Sequence, residues 1–375
     1  MKIALVSPYD YAYPGGVTIH VSRLQDQFQR MGHVAKIIAP CSREEMGSED
    51  VYIVGKPVPI PASGSICRIS ISPMLTGKVK SILQQERFDI IHMQEPLLPA
   101  LPVTVLRCSH SVNVGTFHAF RNSSWGYRYW KPLLKRYFRK LHGKIAVSVP
   151  AQNFISKYFP GYYNIIPNGI DVAHFTSNVP KLEQYCDGKL NILFVGRLEK
   201  RKGLIYLLEA YRKIKKEMPD TRLIIVGPGG GLQQGYERFV YEYKLPDVVF
   251  TGFCTYEDLP RYYHTAHVFC APAFERESFG IILLEAMASG TPIIASNTEG
   301  YAGVIDGGDE AVMVEPRSVE SLADALLRVL PDKELRARMG SAGRLKAERF
   351  DWSHISARLI DYYNGLLSEV PYPVP

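Results

Sequence analysis

At 375 residues the chain is too long for one ordinary core and calls for two domains of roughly 150 to 200 residues each. Its 46% hydrophobic and 22% charged residues are those of a globular protein, and no apolar run approaches the roughly 20 residues that cross a bilayer, which excludes a helical membrane span. The net charge of +7 is uneven, because residues 1–170 hold 20 Lys and Arg against 9 Asp and Glu (+11) while residues 171–375 hold 24 against 28 (−4), so the first half is expected to meet an anionic lipid or nucleic-acid surface or substrate.

The chain opens with an apolar strand, Lys2 to Ser7, which runs into a Pro/Gly turn and not into the apolar segment and cleavage site of a signal peptide; a cytoplasmic protein is expected. A loop with Pro14-Gly15-Gly16 leads to a helix with apolar positions at Val17, Val21, Leu24 and Phe28, a Gly32 stop, and a second strand, Ala35 to Ala39. This is a βαβ unit. Strands predicted at 89–92, 112–117, 144–149 and 164–166 alternate with helical stretches and extend a parallel α/β domain.

After Pro167-Asn168-Gly169-Ile170-Asp171 and a polar connector the pattern restarts at Asn191–Val195, and strands are predicted at 222–226, 248–251, 268–271, 292–295 and 311–314, with a helix over 318–330. The expected architecture is therefore two Rossmann-like α/β domains with parallel sheets that face each other across a cleft. The first spans 1–168 and the second 169–351. The helical stretch 352–367 follows the completed second sheet and is expected to cross back and complete the first domain, and the proline-rich tail 370–375 is expected to be disordered.

Three motifs carry chemistry. Gly15-Gly16-Val17 lies between a strand and a helix, where glycine permits close backbone approach and the helix N-terminus offers free N–H groups and partial positive charge to a phosphate. It is not a G-x-G-x-x-G turn, and no acidic residue ends the second strand, which speaks against a dinucleotide oxidoreductase. Gly196-Arg197-Leu198-Glu199-Lys200-Arg201-Lys202-Gly203 places four cations within six residues directly after a strand, where a guanidinium and an ammonium suit a diphosphate. No D-x-D pair and no cysteine cluster offers metal ligands, so no metal or cofactor is expected, and Arg197 and Lys202 take the metal's place. In the third motif, on a loop leading into a helix, Glu277 and Glu285 stand eight residues apart, which suits two parts of one long ligand. A carboxylate is a good acceptor for ribose or hexose hydroxyl pairs.

Here the sequence resembles a known family. ESFGIILLEAMASGTPIIAS, VGRLEKRKG, PNGIDV and PGGV, in that order and over nearly the whole chain, resemble the retaining family 4 glycosyltransferases of the GT-B fold. PYDYAYPGGVTIHV, KPVPIPASGSICRI, QEP, TFHAF, GKIAVS and RESFGIILLEAM are similar to the phosphatidyl-myo-inositol mannosyltransferases, which use GDP-mannose. The resemblance implies that Gly15 and Gly16 meet the donor diphosphate through the backbone and that Arg197 and Lys202 neutralise it. It implies too that Glu285 holds the ribose, and that Glu277 with the backbone of Ser278, Phe279 and Gly280 holds the sugar. His118 matches the family histidine beside the transferred sugar, and Tyr9 and Arg68 match positions that meet the acceptor's inositol phosphate. Two positions depart: those mannosyltransferases have Asn where this chain has Leu97 and Thr where it has Ala119, which puts phosphatidylinositol itself in question while leaving a lipid-linked or glycan acceptor. A UDP-glucose-dependent transferase or a sugar-nucleotide epimerase shares the fold and remains an alternative.

Finally, residues 125–141 alternate aromatics with cations. The spacing predicts a helix with Trp130, Leu133, Leu134, Tyr137 and Leu141 on one face and Arg128, Lys131, Lys135 and Arg139 on another, joined by Arg136. This is the pattern of a helix lying in a lipid interface, and the expectation is peripheral docking of the basic domain on the anionic inner face of the cell membrane, with no nucleic-acid partner.

Overall fold

A computed structural model describes residues 1–13, 15–62, 65–70, 75–99, 101–120 and 124–369; Pro14 and the 370–375 tail lie outside the described residues. The chain divides into two compact units, Met1–Gly169 with the segment from Trp352 onward, and Ile170–Asp351.

In the first unit the order is β1 (Lys2–Val6), α1 (Gly16–Arg30), β2 (Val34–Ala39), β3 (Val51–Ile53), β4 (Val58–Ala62), β5 (Ser65–Ile69), α2 (Leu75–Glu86), β6 (Ile90–Gln94), α3 (Leu101–Cys108), β7 (Val112–Phe117), α4 (Trp125–Phe138), β8 (Gly143–Ala146), α5 (Val149–Ser156) and β9 (Asn164–Ile165). Seven strands form a parallel sheet in the order β3-β2-β1-β6-β7-β8-β9. Its central strands read as unbroken apolar runs because a parallel sheet is covered on both faces; Ile3, Leu5, Ile90 and Val114 are fully buried. The β4-β5 pair is a separate antiparallel hairpin that pattern reading missed. Two prolines within β4 and the short length of each strand hide its alternation.

The second unit runs α6 (Val172–Thr176), β10 (Leu190–Val195), α7 (Leu204–Glu217), β11 (Thr221–Val226), α8 (Gln233–Glu242), β12 (Val248–Gly252), α9 (Leu259–Thr265), β13 (Val268–Ala271), α10 (Ile281–Ser289), β14 (Ile293–Ser296), β15 (Ala311–Val314), α11 (Val319–Val329) and α12 (Lys333–Glu348). Its six strands are also parallel, in the order β12-β11-β10-β13-β14-β15. In both sheets strand order reverses beside the first strand, between β1 and β6 and between β10 and β13. At such a switch point the connections leave to opposite faces, and the carboxyl edge opens a crevice for ligands.

The last helix, α13 (Trp352–Glu369), belongs to the first unit. Trp352, Ile355, Leu359, Tyr363 and Leu366 join the core built by Ile3, Leu5, Val21, Leu24 and Phe28, so α13 covers the same sheet face as α1. Trp352 lies flat on Gly169, where a Cβ would come within 2.4 Å of the indole. Deeper in, the Tyr363 hydroxyl and His92 Nδ1 are 2.6 Å apart, and His92 Nε2 is 2.6 Å from Thr116 Oγ1. Tyr363→Phe would leave a buried imidazole nitrogen without its partner, and a loss of about 1 to 3 kcal/mol of unfolding free energy is expected. Urea unfolding of the two proteins checks this; equal midpoints would show that the bond contributes nothing.

Candidate functional site

In the second unit the site is assembled from strand ends. Gly196 follows β10, Gly227 follows β11 and Gly252 ends β12, all with φ in the left-handed half of the map (149°, 144° and 74°). A Cβ on Gly227 would meet the Gly196 carbonyl oxygen at 2.1 Å, so only glycine lets these neighbouring strand ends close up. Beyond them Phe253 is two-thirds exposed at the rim.

Past Gly196 the chain makes a single 3₁₀ turn, Lys200–Lys202, ended by Gly203 at φ 73°. Gly203 lies under the Pro272 carbonyl, where a Cβ would be 2.0 Å from the oxygen, and the Phe274 N–H donates to the Arg201 carbonyl at 3.1 Å. These two contacts bind the loop after β10 to the loop after β13 and bring the cations to Glu277. Lys202 Nζ is 2.8 Å from Glu277 Oε1, which Arg201 also contacts; Glu199 holds Arg201 at 2.7 Å and Arg197 at 3.2 Å. The ionic chain Arg197, Glu199, Arg201, Glu277, Lys202 carries three positive and two negative charges, so it keeps a net positive charge. Lys202 and Glu277 are both nearly buried, whereas the Arg197 side chain is half exposed.

The resemblance assigned Glu277 to the sugar; in the structure its carboxylate holds Arg201 and Lys202. Sequence reading counted Arg201 among the four cations of this loop but singled out neither it nor Glu199; their i, i+2 spacing was the available signal, and the contact of Arg201 with Glu277 spans 76 residues. Gly280, at φ 88°, opens α10 and packs against Tyr301, and Phe279 is buried. One helical turn on, Glu285 is buried and accepts a hydrogen bond from the Tyr263 hydroxyl at 2.8 Å. Burial pushes its carboxyl up to about 7, against the opposing pull of Tyr263 and Lys202.

In the first unit Gly15 caps α1 in an extended conformation without a side-chain hydrogen bond, and among the described residues, chain neighbours aside, no atom stands within 4 Å of a Cβ built on Gly15 or Gly16, which leaves room for close backbone approach at the helix start. Tyr9 bridges to Ile69, the Asp10 N–H donates to the Arg68 carbonyl at 3.0 Å, and the Arg68 guanidinium lies 3.7 Å from the centre of the Tyr13 ring. Backbone pairing between the β1 loop and β5 thus brings Tyr9 and Arg68 together.

His118 follows β7. Its Nε2 is 2.6 Å from Gln94 Oε1, and its own N–H and that of Ala119 donate to Glu95 Oε1 at 2.8 and 2.9 Å. The His20 ring meets it edge-on at 5.1 Å and in turn meets Trp352 at 5.2 Å. Burial first, and the neighbouring His20 and His92 second, hold the His118 imidazole well below its ordinary pKa; burial likewise takes His20 to about 4, with Asn168 pulling the other way without reaching hydrogen-bond geometry. Gln94, Glu95 and His20 were visible only as letters in the QEP and PGGVTIHV motifs. Leu97, one of the two departures, is wholly buried and so faces the core.

In α4 the predicted faces are redistributed. Leu134, Phe138 and the following Leu141 are buried, and Tyr127 packs on Phe154, Tyr158 and Phe159, while Trp130 and Leu133 point outward with Trp125 and Tyr129. The expected single apolar face is thus two stripes, because the core takes the 127/134/138/141 line and leaves 125/129/133 with 130 to solvent. Arg128, Lys131, Lys135, Arg136 and Arg139 are all exposed among them. Among the described residues no helix is long and apolar enough to cross a membrane, and no group of three or more His, Cys, Asp or Glu could hold a metal ion.

Two parallel-sheet units with phosphate-compatible groups at their carboxyl edges are what a nucleotide-linked substrate requires. A model of the group 1 glycosyl transferases matches residues 182–346, and one of glycosyltransferase family 4 matches residues 14–174. A phosphatidyl-myo-inositol mannosyltransferase of Mycolicibacterium smegmatis is 34% identical over 372 residues, covering 97% of this chain and 93% of that one. A Mycobacterium tuberculosis protein named a GDP-mannose-dependent alpha-(1-6)-phosphatidylinositol monomannoside mannosyltransferase is 30% identical over 213 residues, 53% of this chain and 55% of that one. A solved glycosyltransferase from Rickettsia africae superposes with a TM-score of 0.77 at 19% identity, over 98% of this chain and all of that one. The chain belongs to the family 4 glycosyltransferases of the GT-B fold and is an enzyme of glycosyl transfer.

The Glu285 carboxyl gives this site a pH signature. It ionises near 4.5 when unfolded and near 7 in the fold, so between these values the native state holds a proton that the unfolded chain has released. Its contribution therefore makes stability fall as pH rises from 4.5 to 7 and level off above. Glu285→Gln cannot ionise and should flatten that segment of the profile. Unfolding midpoints in steps of pH decide it, and parallel profiles for the two proteins would refute the shift.

Proposed function

We propose that the protein transfers mannose from GDP-mannose, with retention at the anomeric carbon, to a hydroxyl of a lipid-linked acceptor of the phosphatidylinositol class. The observation that carries the donor half is the ionic cluster at the carboxyl edge of β10 and β13, in which Arg201 and Lys202 hold Glu277 and Glu199 ties Arg197 to Arg201. As the sugar leaves, negative charge grows on the diphosphate; Arg197 and Lys202, already fixed by Glu199 and Glu277, stabilise it with little reorganisation. In this reading Glu285 holds the ribose, the Ser278-Phe279-Gly280 backbone holds the sugar, and the acceptor attacks on the face the diphosphate leaves, with the departing phosphate taking the proton. Full-length relatives named phosphatidyl-myo-inositol mannosyltransferases support mannose and a phosphoinositide.

The test is a donor and acceptor panel read by nucleotide release. GDP should be released from GDP-mannose when phosphatidylinositol is present, and Lys202→Ala should lower kcat/KM on the order of 100-fold. UDP released from UDP-glucose, with GDP-mannose inert, would overturn the donor assignment; turnover with glycolipid but not phosphatidylinositol would overturn the acceptor.

A second part of the proposal concerns place of action. Trp125, Tyr129, Trp130 and Leu133 are each at least half exposed along α4, flanked by five exposed cations. Large rings held out of the core beside Lys and Arg are the chemistry of a helix resting in the headgroup layer, where each cation adds about 1 kcal/mol at most on an anionic surface. We place the enzyme on the inner leaflet of the cell membrane through this helix. Sedimentation with vesicles should show binding that needs anionic lipid, weakens with salt and drops when Lys131, Lys135, Arg136 and Arg139 become Ser. Equal binding to neutral vesicles, or none at low salt, would end this assignment.

A further inference from the structure

Among the described histidines of the first unit, His118 is the one that stands just past a strand's carboxyl end, largely covered but not sealed from solvent, and the structure holds it from three directions. Behind the ring, Gln94 is the last residue of β6 and fully buried, with Oε1 2.6 Å from His118 Nε2. Beneath the backbone, Glu95 receives the consecutive N–H groups of His118 and Ala119 on one carboxylate oxygen. On the flank, His20 packs edge-on, backed by Trp352.

We propose that the Gln94-Glu95 pair is the positioning device of His118, fixing the ring as its Nε2–H tautomer and leaving Nδ1 as the nitrogen that meets a substrate hydroxyl. An amide oxygen can only accept, so the orientation with Gln94 Oε1 on the ring corresponds to a proton on Nε2 and a lone pair on Nδ1, whereas the reversed amide, whose nitrogen has no hydrogen-bond partner among the described residues as it stands, would give the opposite tautomer. A second proton is opposed by burial and by His20 and His92 nearby, so the ring stays uncharged and offers a hydrogen-bond acceptor.

Glu95 itself shows that the arrangement is over-determined. It is a non-glycine residue at φ 49°, a conformation that side chains avoid, and it is nearly buried. What holds it there is a closed circuit: its N–H donates to the Thr116 carbonyl at 2.8 Å, its carbonyl accepts from Leu98 at 2.9 Å, and its carboxylate sits on the two N–H groups beyond β7. Gln94 pairs in register with Thr116 across the two strands, so the end of β6 is tied to the end of β7 just before His118. A carboxylate in a cradle of consecutive N–H groups fixes the direction of the chain as it leaves the sheet, and hence where Cβ of His118 points. The amide of Gln94 then fixes the remaining rotation of the ring.

The proposal rests on the reading that His118 meets the substrate, and the experiment separates the two. In the full-length protein labelled with ¹⁵N on histidine, long-range ¹H–¹⁵N correlation spectra, with His118 assigned by its loss in His118→Asn, report the tautomer directly. The Nε2–H form is expected at neutral pH, with mixing of the two forms in Gln94→Leu; an Nδ1–H form in the wild type would overturn the proposal. In steady-state kinetics with GDP-mannose and phosphatidylinositol, Gln94→Leu and Glu95→Ala should each lower kcat on the order of 10-fold or more with the donor KM within about twofold, as expected when a reacting group is misaligned and not lost. Glu95→Gln keeps an oxygen for the two N–H groups and should recover most of the rate. If His118→Asn itself turns over normally, the substrate-contact reading fails; if it is impaired while Gln94→Leu matches wild type, only the positioning proposal fails. Should Glu95→Ala not fold, the wild-type tautomer and the Gln94→Leu kinetics decide the question.

Discussion

Burying a charged carboxylate is costly unless cations or N–H groups come with it, and in the second unit cations answer that requirement around Glu277. Lys202 and Arg201 satisfy it, Glu199 then ties Arg201 to Arg197, and the two loops that carry these residues can approach only because Gly203 lies under the Pro272 carbonyl. Gly300 belongs to the same constraint, since a Cβ there would come within 1.8 Å of the Glu277 carbonyl oxygen. The result is a group of cations held in place by the protein's own carboxylates, with one positive charge in excess. Preorganised charge of this kind is what a reaction with a diphosphate leaving group draws on, because little work is spent on orienting it as the charge develops.

The first unit meets a different constraint by a similar device. Polar side chains at the carboxyl edge of a buried parallel sheet must find partners within the sheet's own loops, and here those partners come from consecutive strands. His92 and Gln94 of β6 and Glu95 directly after it engage Tyr363, His118 and the backbone beyond β7 in turn. The C-terminal helix is part of this set, since Tyr363 reaches His92 and Trp352 backs His20. A segment more than 200 residues distant in sequence, held on the first sheet by its apolar face, thus also supports the histidine at the strand edge.

Helix α4 shows where pattern reading stops. Amphipathicity in the sequence marks an apolar stripe without saying what covers it. The core of the first unit uses the stripe through Tyr127, Leu134 and Phe138, and Trp125, Tyr129, Trp130 and Leu133 are left outside it. An aromatic-rich helix has more apolar circumference than one contact with a domain can bury, and the uncovered part is available to a lipid interface.

The sequence by itself determined the two parallel α/β sheets, nearly every central strand to within a residue or two, and the loops where ligand groups gather. Those features are local: apolar runs of strand length, helical spacing, and glycine at strand ends read directly in one dimension. The motif resemblance reached the family, and with it His118, Arg197, Lys202, Glu277 and Glu285 as residues to inspect. Only the tertiary structure decided what these residues touch. That Glu277 holds Lys202, that Tyr263 meets a carboxyl raised to about 7, and that Gln94, Glu95 and His20 surround His118 are contacts between residues up to 98 positions apart, and β4-β5 forms a hairpin whose alternation is broken by prolines. Side-chain partnership across such separations depends on how strands order in the sheet, and a one-dimensional pattern does not encode that order.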